Sequence, residues 1–279
     1  MTINCKGMLI DLNTPKIMGI LNLTPDSFYD GGKFKNSDSI LRQVELMLKE
    51  GATFIDLGAY SSRPGAHHVS EEEELHRLLP TISVILKEFP GCLLSIDTFR
   101  AKVAHKSLQL GAALINDISA SNLDKNMFDI VAQYQVPYIM MHMKGTPQNM
   151  KELSDYDDMI KDILYYFSER VVLARKKKIN DIIIDPGFGF AKNTAQNFQL
   201  LAHFNLFKTF ELPLLAGLSR KSMIYKTLKS SASEALNGTT ALHMIALQNG
   251  ANILRAHDVK EATECIALHH EIQANRISI

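Results

Sequence analysis

Cysteine is scarce: there are three in 279 residues, Cys5, Cys92 and Cys265, far apart and with no CxxC pair. That spacing argues against a disulfide framework and a thiolate metal site. It suits reduced thiols in a cytoplasmic protein. An excess of one charge is lacking too. Thirty Lys and Arg balance thirty Asp and Glu, so no global field attracts nucleic acid or an anionic membrane. A small anion needs only a local cluster and stays open as a ligand. No stretch approaches the ~18 apolar residues of a membrane helix, and the opening MTINCKGMLIDLN does not read as a signal peptide. No Pro/Gly/Ser-rich linker interrupts the chain, so residues 1–279 read as one domain.

What is present is a repeat. KEGATFIDLGA from Lys49, QLGAALINDIS from Gln109 and QNGANILRAHD from Gln248 each set Gly-Ala after a helical pattern and before a short apolar strand. Gly51, Gly111 and Gly250 suit the left-handed residue that ends a helix. Five residues beyond each glycine stands a polar residue, Asp56, Asn116 or Arg255, at an equivalent place near the strand's C-terminal end. Further apolar strands run over 16–24, 92–98, 137–143 and 213–219, and DIIIDPG adds another. Eight strands alternating with helical segments predict a (β/α)8 TIM barrel, with a short N-terminal β-hairpin within residues 2–15 closing its bottom. Helices are expected over 38–50, after the cap Ser70, and over 155–178. The acids Glu71 to Glu74 read as a solvated helix start, and Lys176 to Lys178 as solubilising charges that suit a helix C-terminus.

The C-terminal strand ends form the active face of such a barrel. Here they carry Asn22, Asp56, Asp97, Asn116 with Asp117, His142, Asp185, Ser219, and Arg255 with His257. A lone Asp after a strand often caps a helix; nearly every strand ending this way points to a pocket. For Asp117 and His142 taken singly, structural and functional readings weigh equally. The turn-rich loops NLTPDSFYDGGKF and AYSSRPGAHH are lid candidates. GLSRKSMI sets Arg220 and Lys221 at a helix start, and RAHD adds Arg255 and His257, a cationic end suited to an anion. The residues alone thus indicate a barrel enzyme for a phosphorylated or carboxylated polar heterocycle.

NLTPDSFYDGG, SSRPGA, SIDT, NDIS, MHMKGTP, DPGFGFAK, GLSRKS and RAHD follow one another from Asn22 to Asp258. In that order they resemble the dihydropteroate synthases. The resemblance implies that p-aminobenzoate displaces diphosphate from (7,8-dihydropterin-6-yl)methyl diphosphate, giving 7,8-dihydropteroate in folate synthesis. It implies pterin contacts from Asp97, Asn116, Asp185 and Lys221, with Met141 under the ring and Phe188 and Phe190 at its rim. Diphosphate contacts would come from Ser62, Arg63, Arg255 and His257, and Asn22 would ligate Mg²⁺. Gly217 and Ser219 would adjoin the substrates, Ser219 near the p-aminobenzoate carboxylate. Asp97, Arg63, Lys221, Arg255 and His257 would carry the catalysis.

The resemblance also implies a homodimer through the helices on either side of the last strand. Two departures stand out: Tyr60 where an acid is common, and Tyr29 where a serine is common. A pterin-barrel methyltransferase would share the Asp and Asn contacts but have no use for Asn22, Arg63, Arg255 and His257. A degenerate pterin binder would show a broken first or second loop, and both loops read as intact.

Overall fold

The computed structural model describes residues 1–23, 35–60 and 69–276. Strands β1 (Thr2–Cys5) and β2 (Met8–Asp11) pair antiparallel. Lys6 and Gly7 both have positive φ, +54° and +83°, as a tight two-residue hairpin turn requires.

A second sheet follows from β3 (Lys16–Asn22), β4 (Ala52–Gly58), β5 (Leu93–Asp97), β6 (Leu114–Asp117), β7 (Tyr138–Met141), β8 (Ile182–Asp185), β9 (Leu215–Ala216) and β10 (Ile253–Ala256). All its pairings are parallel, in the order β8-β7-β6-β5-β4-β3-β10-β9, and an Ile184–Leu214 bridge joins the outer strands. The sheet is therefore a nearly closed (β/α)8 barrel. Helices α1 (Lys35–Lys49), α2 (Glu71–Glu88), α3 (Ala101–Gln109), α4 (Met127–Tyr134), α5 (Met159–Lys176), α6 (Thr194–Ala202), α7 (Ser222–Thr227), α8 (Leu236–Gln248) and α9 (Val259–Ala274) lie between and after the strands. Among the described residues no helix is long and apolar enough to cross a membrane.

Side chains alternate across a strand with period two, and this parity builds the site. Met18, Phe54, Leu93, Leu114, Ile139, Ile183, Leu215 and Ile253 form one buried cluster with Ile3, Cys5 and Leu12. That cluster is the barrel's interior floor, plugged from below by the hairpin. Two residues further along the same faces come Asp56, Ser95, Asn116, Met141, Asp185, Gly217 and Arg255. Asp97 comes after one more step, on the face of Leu93. The opposite parity faces the helices: Ile55, Leu94, Ile96, Ile115, Tyr138, Met140, Ile182, Ile184 and Leu254 belong to the larger outer core.

The glycines of the repeat have φ of +104°, +103° and +99° at Gly51, Gly111 and Gly250. The acidic start of α2 departs from the solvated reading. Ser70 Oγ does cap Glu73 N–H at 3.1 Å, but Glu74 is fully buried. It accepts from Thr98 Oγ1 at 2.6 Å and pairs with Arg100.

Candidate active site

Four of the six charged or amide side chains on the inner parity, Asn22 included, meet directly. Arg255 Nε donates to Asp56 Oδ2 at 2.5 Å, and Nη2 to Asp97 Oδ2 at 2.7 Å. Asn116 Nδ2 donates to the same Asp56 oxygen at 3.0 Å. The three equivalent positions of the repeat thus converge on one carboxylate. Burial pushes the Asp97 carboxyl up to about 7 against the pull of Arg255, and Asp56 and Glu74 add to the rise. Burial opposes the Arg255 charge as well, but Asp56 and Asp97 more than offset it and the guanidinium stays charged.

Asp97, Asn116, Met141, Asp185, Lys221 and Arg255 line one cleft with Ile118, Phe190 and Gly217. Asp185 is 6% exposed. Its Oδ1 accepts the Gly187 N–H at 2.8 Å. A Cβ at Gly217 would stand 3.8 Å from Asp185 Oδ2, so the missing side chain leaves that oxygen facing open space. Burial raises the Asp185 carboxyl above its ordinary range, while the Gly187 hydrogen bond, Lys221 and Arg255 pull it back. Lys221 Nζ donates to the Phe188 carbonyl at 2.7 Å and lies 4.5 Å from the Phe190 ring centre. Met141 is buried among Ile118, Met143 and Phe190. The cleft sets carboxylates, an amide and two cations beside the Met141 and Phe190 side chains, which suits a planar N–H donor carrying an anionic tail.

Ser219 Oγ accepts the His257 backbone N–H at 3.1 Å and lies 3.0 Å from His257 Nδ1. Asn22 ends β3, half-buried, and a Cβ at Gly58 would stand 3.8 Å from its Oδ1 and 3.6 Å from Asp97 Oδ2. The bare backbone of Gly58 therefore keeps Asn22 and Asp97 close at the mouth. No group of three His, Cys, Asp or Glu gathers to hold a metal among the described residues. A single amide oxygen fits a Mg²⁺ that keeps waters and substrate oxygens, not a protein cage.

The structure redirects several expectations. Arg220 is not a cleft cation: it pairs with Asp258 at 2.7 and 2.9 Å and donates to the Ala232 and Ser233 carbonyls. Only Lys221 of that pair faces the site. Phe188 does line the cleft, but not by an exposed ring. Its ring is 1% exposed and stacks on Phe204 at 5.9 Å, inside the outer core. Asp117 sits on the outward parity, held by Tyr138 Oη (2.6 Å), Ser119 N and Oγ (2.8 Å each) and Ser121 N (2.7 Å). It braces the β6–α4 connection and takes no part in the cleft.

Ser62, Arg63, Tyr29 and most of both candidate lid loops lie outside the described residues. The flanks of the second loop are described. Arg77 Nη1 donates to Ala59 O at 3.2 Å and Arg100 Nη2 to Val69 O at 2.7 Å. Tyr60, buried, meets Phe99 edge-on at 5.1 Å under the Arg100 guanidinium, and Gln148 Nε2 donates to its hydroxyl at 2.5 Å. Tyr60, standing where an acid is common, thus joins an aromatic and cationic cluster. The repeat offset marked Asp56 as a strand-end residue without giving it a role, and Glu74 was read as solvated. The 74-78-82 spacing with Leu78 and Ile82 could have raised Glu74 as buried.

Comparison with known proteins agrees with this geometry. Residues 18–257 match the family described as pterin binding enzyme. The dihydropteroate synthase of Escherichia coli K12 is 41% identical over 268 residues, 95% of this chain and 94% of that protein. The Yersinia pestis dihydropteroate synthase, solved in a sulfonamide drug complex, superposes with a TM-score of 0.91 at 42% identity, covering 98% of this chain and 100% of that one. The Xanthomonas albilineans enzyme, solved in complex with 7,8-dihydropteroate, gives 0.88 at 34% identity, covering 99% and 100%.

Proposed function

The chain belongs to the dihydropteroate synthase family, and from that premise we propose how its barrel mouth divides the work of the reaction. The activity is a transfer in folate synthesis. The p-aminobenzoate nitrogen forms a bond to the pterin methylene carbon, the C–O bond to diphosphate breaks, and 7,8-dihydropteroate is released. The observation that carries the division of labour is the Asp185 carboxylate. It is buried, fixed by Gly187 N–H on one oxygen and open toward the cleft on the other.

Asp185 accepts the pterin's amino and ring N–H edge, and the ionised acceptor makes those bonds strong. Asn116 and Asp97 address the rest of the ring's polar edge, with Met141 and Phe190 packing on it. Asp97 and Asp56 hold Arg255 through two of its five donors, leaving others for the diphosphate. As the C–O bond breaks, positive charge grows on the electron-rich ring and the ionised Asp97 stabilises it. Arg255 and His257, with the Ser62 and Arg63 contacts that the family resemblance implies, stabilise the departing diphosphate. Ser219, at the helix start by Lys221, receives the p-aminobenzoate carboxylate. Mg²⁺, held by Asn22 and the diphosphate oxygens, would supply further charge neutralisation to the leaving group.

We assign the exposed Ile245, Leu268 and Ile272 of α8 and α9 to a homodimer face. A monomer by light scattering at micromolar concentration overturns this. A cytoplasmic setting accords with three free, buried cysteines. The test of the function is diphosphate release, which should require both organic substrates and stop with EDTA. A pterin bound tightly without turnover would favour a binding protein. A larger surface groove between α5 and Phe210 gathers no comparable set of converging polar groups and carries no part of this reading.

A further inference from the structure

Lys192 follows Asp185 by seven residues and folds back beneath the loop it ends. It is 9% exposed. Its Nζ donates to the Gly187 carbonyl at 3.0 Å, to the Phe190 carbonyl at 2.9 Å, and to His142 Nδ1 at 3.1 Å. An ammonium has three donors and no acceptor, so these three bonds use it completely. A cation so occupied and so buried cannot serve the diphosphate. The bond to His142 also fixes that ring. Burial holds the imidazole in its neutral form, and Nδ1 accepts from the amine when Lys192 is an ammonium. His142 sits next to Met141 on the outward parity, edge-on to Tyr166 at 4.9 Å, and the Tyr166 hydroxyl reaches the Met141 carbonyl at 3.1 Å.

The loop itself needs such a fastening. Gly187 and Gly189 hold φ of +77° and +83°, and a Cβ at Gly187 would fall 2.1 Å from the His142 carbonyl. The chain therefore passes against the end of β7 with no room for a side chain. Asp185 takes the Gly187 N–H, Asn197 takes the Gly189 N–H at 2.6 Å, and Lys221 takes the Phe188 carbonyl. Lys192 holds the Gly187 and Phe190 carbonyls and pins both to β7.

We infer that Lys192, with His142 as its acceptor, is a positioning residue for pterin recognition. It clamps the 187–190 loop to the strand that carries Met141, so that Asp185 and Phe190 present one fixed shape to the ring. Burial pulls the Lys192 amine down to about 7, with Asp185 opposing the fall, so an unneeded ammonium here would be a standing cost to the fold. The inference rests on reading the cleft as the pterin site.

The experiment compares wild type with Lys192→Met, His142→Leu and His142→Gln. It measures calorimetric Kd for the pterin alcohol lacking diphosphate, and KM for each substrate. Lys192→Met should raise the pterin Kd and KM tenfold or more, with the p-aminobenzoate KM within twofold. His142→Leu should give a smaller rise, and His142→Gln, whose carbonyl can accept from the ammonium, should recover most of it. A Lys192→Met pterin Kd within twofold of wild type overturns the inference, as does an equal rise in both KM values. If Lys192→Met does not fold, equal pterin KM values for the two His142 variants overturn it. A wild-type chain that leaves the pterin unbound removes the reading of the cleft itself, and the clamp with it.

Discussion

Asp185→Asn separates recognition from stability at a single atom. The asparagine oxygen can keep the Gly187 N–H bond, 2.8 Å in the present structure. Its amide nitrogen then takes the place of Oδ2, the oxygen bared by Gly217. A pterin N–H would meet a donor instead of a charged acceptor. Losing one charge-assisted hydrogen bond costs about 1.5–3 kcal/mol, and stranding the buried donor costs about 1–3 kcal/mol more. Together these weaken pterin binding by roughly 10²–10⁴-fold. The stability change has the opposite sign. Burial raises the Asp185 carboxyl, so its ionised form is a cost to the folded state at pH above the folded value. Below the unfolded value both states are protonated and the cost vanishes. At pH 8 the variant should melt no lower than wild type. Calorimetric titration with the pterin alcohol and a thermal melt at the same pH test both halves. Pterin affinity within threefold of wild type would refute the reasoning.

Arg255→Met leaves Asp56 and Asp97 facing each other without their shared cation. A broken buried pair costs about 3–5 kcal/mol, to be read by urea denaturation. Because Asp97 stands up to about 7 even with Arg255 present, the loss should be smaller at pH 5.5, where it is protonated, than at pH 8.5. A pH-independent loss would refute the triad. Phe188→Ala removes a ring packed on Phe204, and should cost about 3–5 kcal/mol of stability. If Phe188 were instead a rim residue, the melt would hold and pterin affinity alone would fall. Gly217→Val should leave the melt within a few degrees and weaken pterin binding at least tenfold, by filling the space before Asp185 Oδ2. Unchanged binding would mean that the ring lies elsewhere.

The barrel and most of its mouth were legible because the same local grammar recurs. Gly51, Gly111 and Gly250 end helices, and the residues five further on meet around Asp56. What stayed hidden was side-chain direction. Asn116 and Asp117, or Met141 and His142, are neighbours of similar promise in the sequence. Strand parity, counted up from the floor residues Leu114 and Ile139, sends one of each pair into the cleft and the other toward the helices. Arg220 and Lys221 are likewise adjacent, but the positive φ of Arg220, +54°, turns it toward Asp258. Glu74 read as solvated because it stands in an acidic run, although it continues the buried stripe of Leu78 and Ile82. Its partner Arg100 lies 26 residues away, a distance no local pattern spans. Lys192 closes the DPGFGFAK motif, but its role was hidden because it depends on a loop folding back over it.

The most direct test of the account is a crystal structure of this protein grown with 7,8-dihydropteroate. The account predicts the pterin ring between Met141 and Arg255, its amino and ring N–H groups on Asp185, and its aminobenzoate arm passing Lys221 toward Ser219. A ring bound with its N–H edge away from Asp185, or bound outside the barrel mouth, would contradict it.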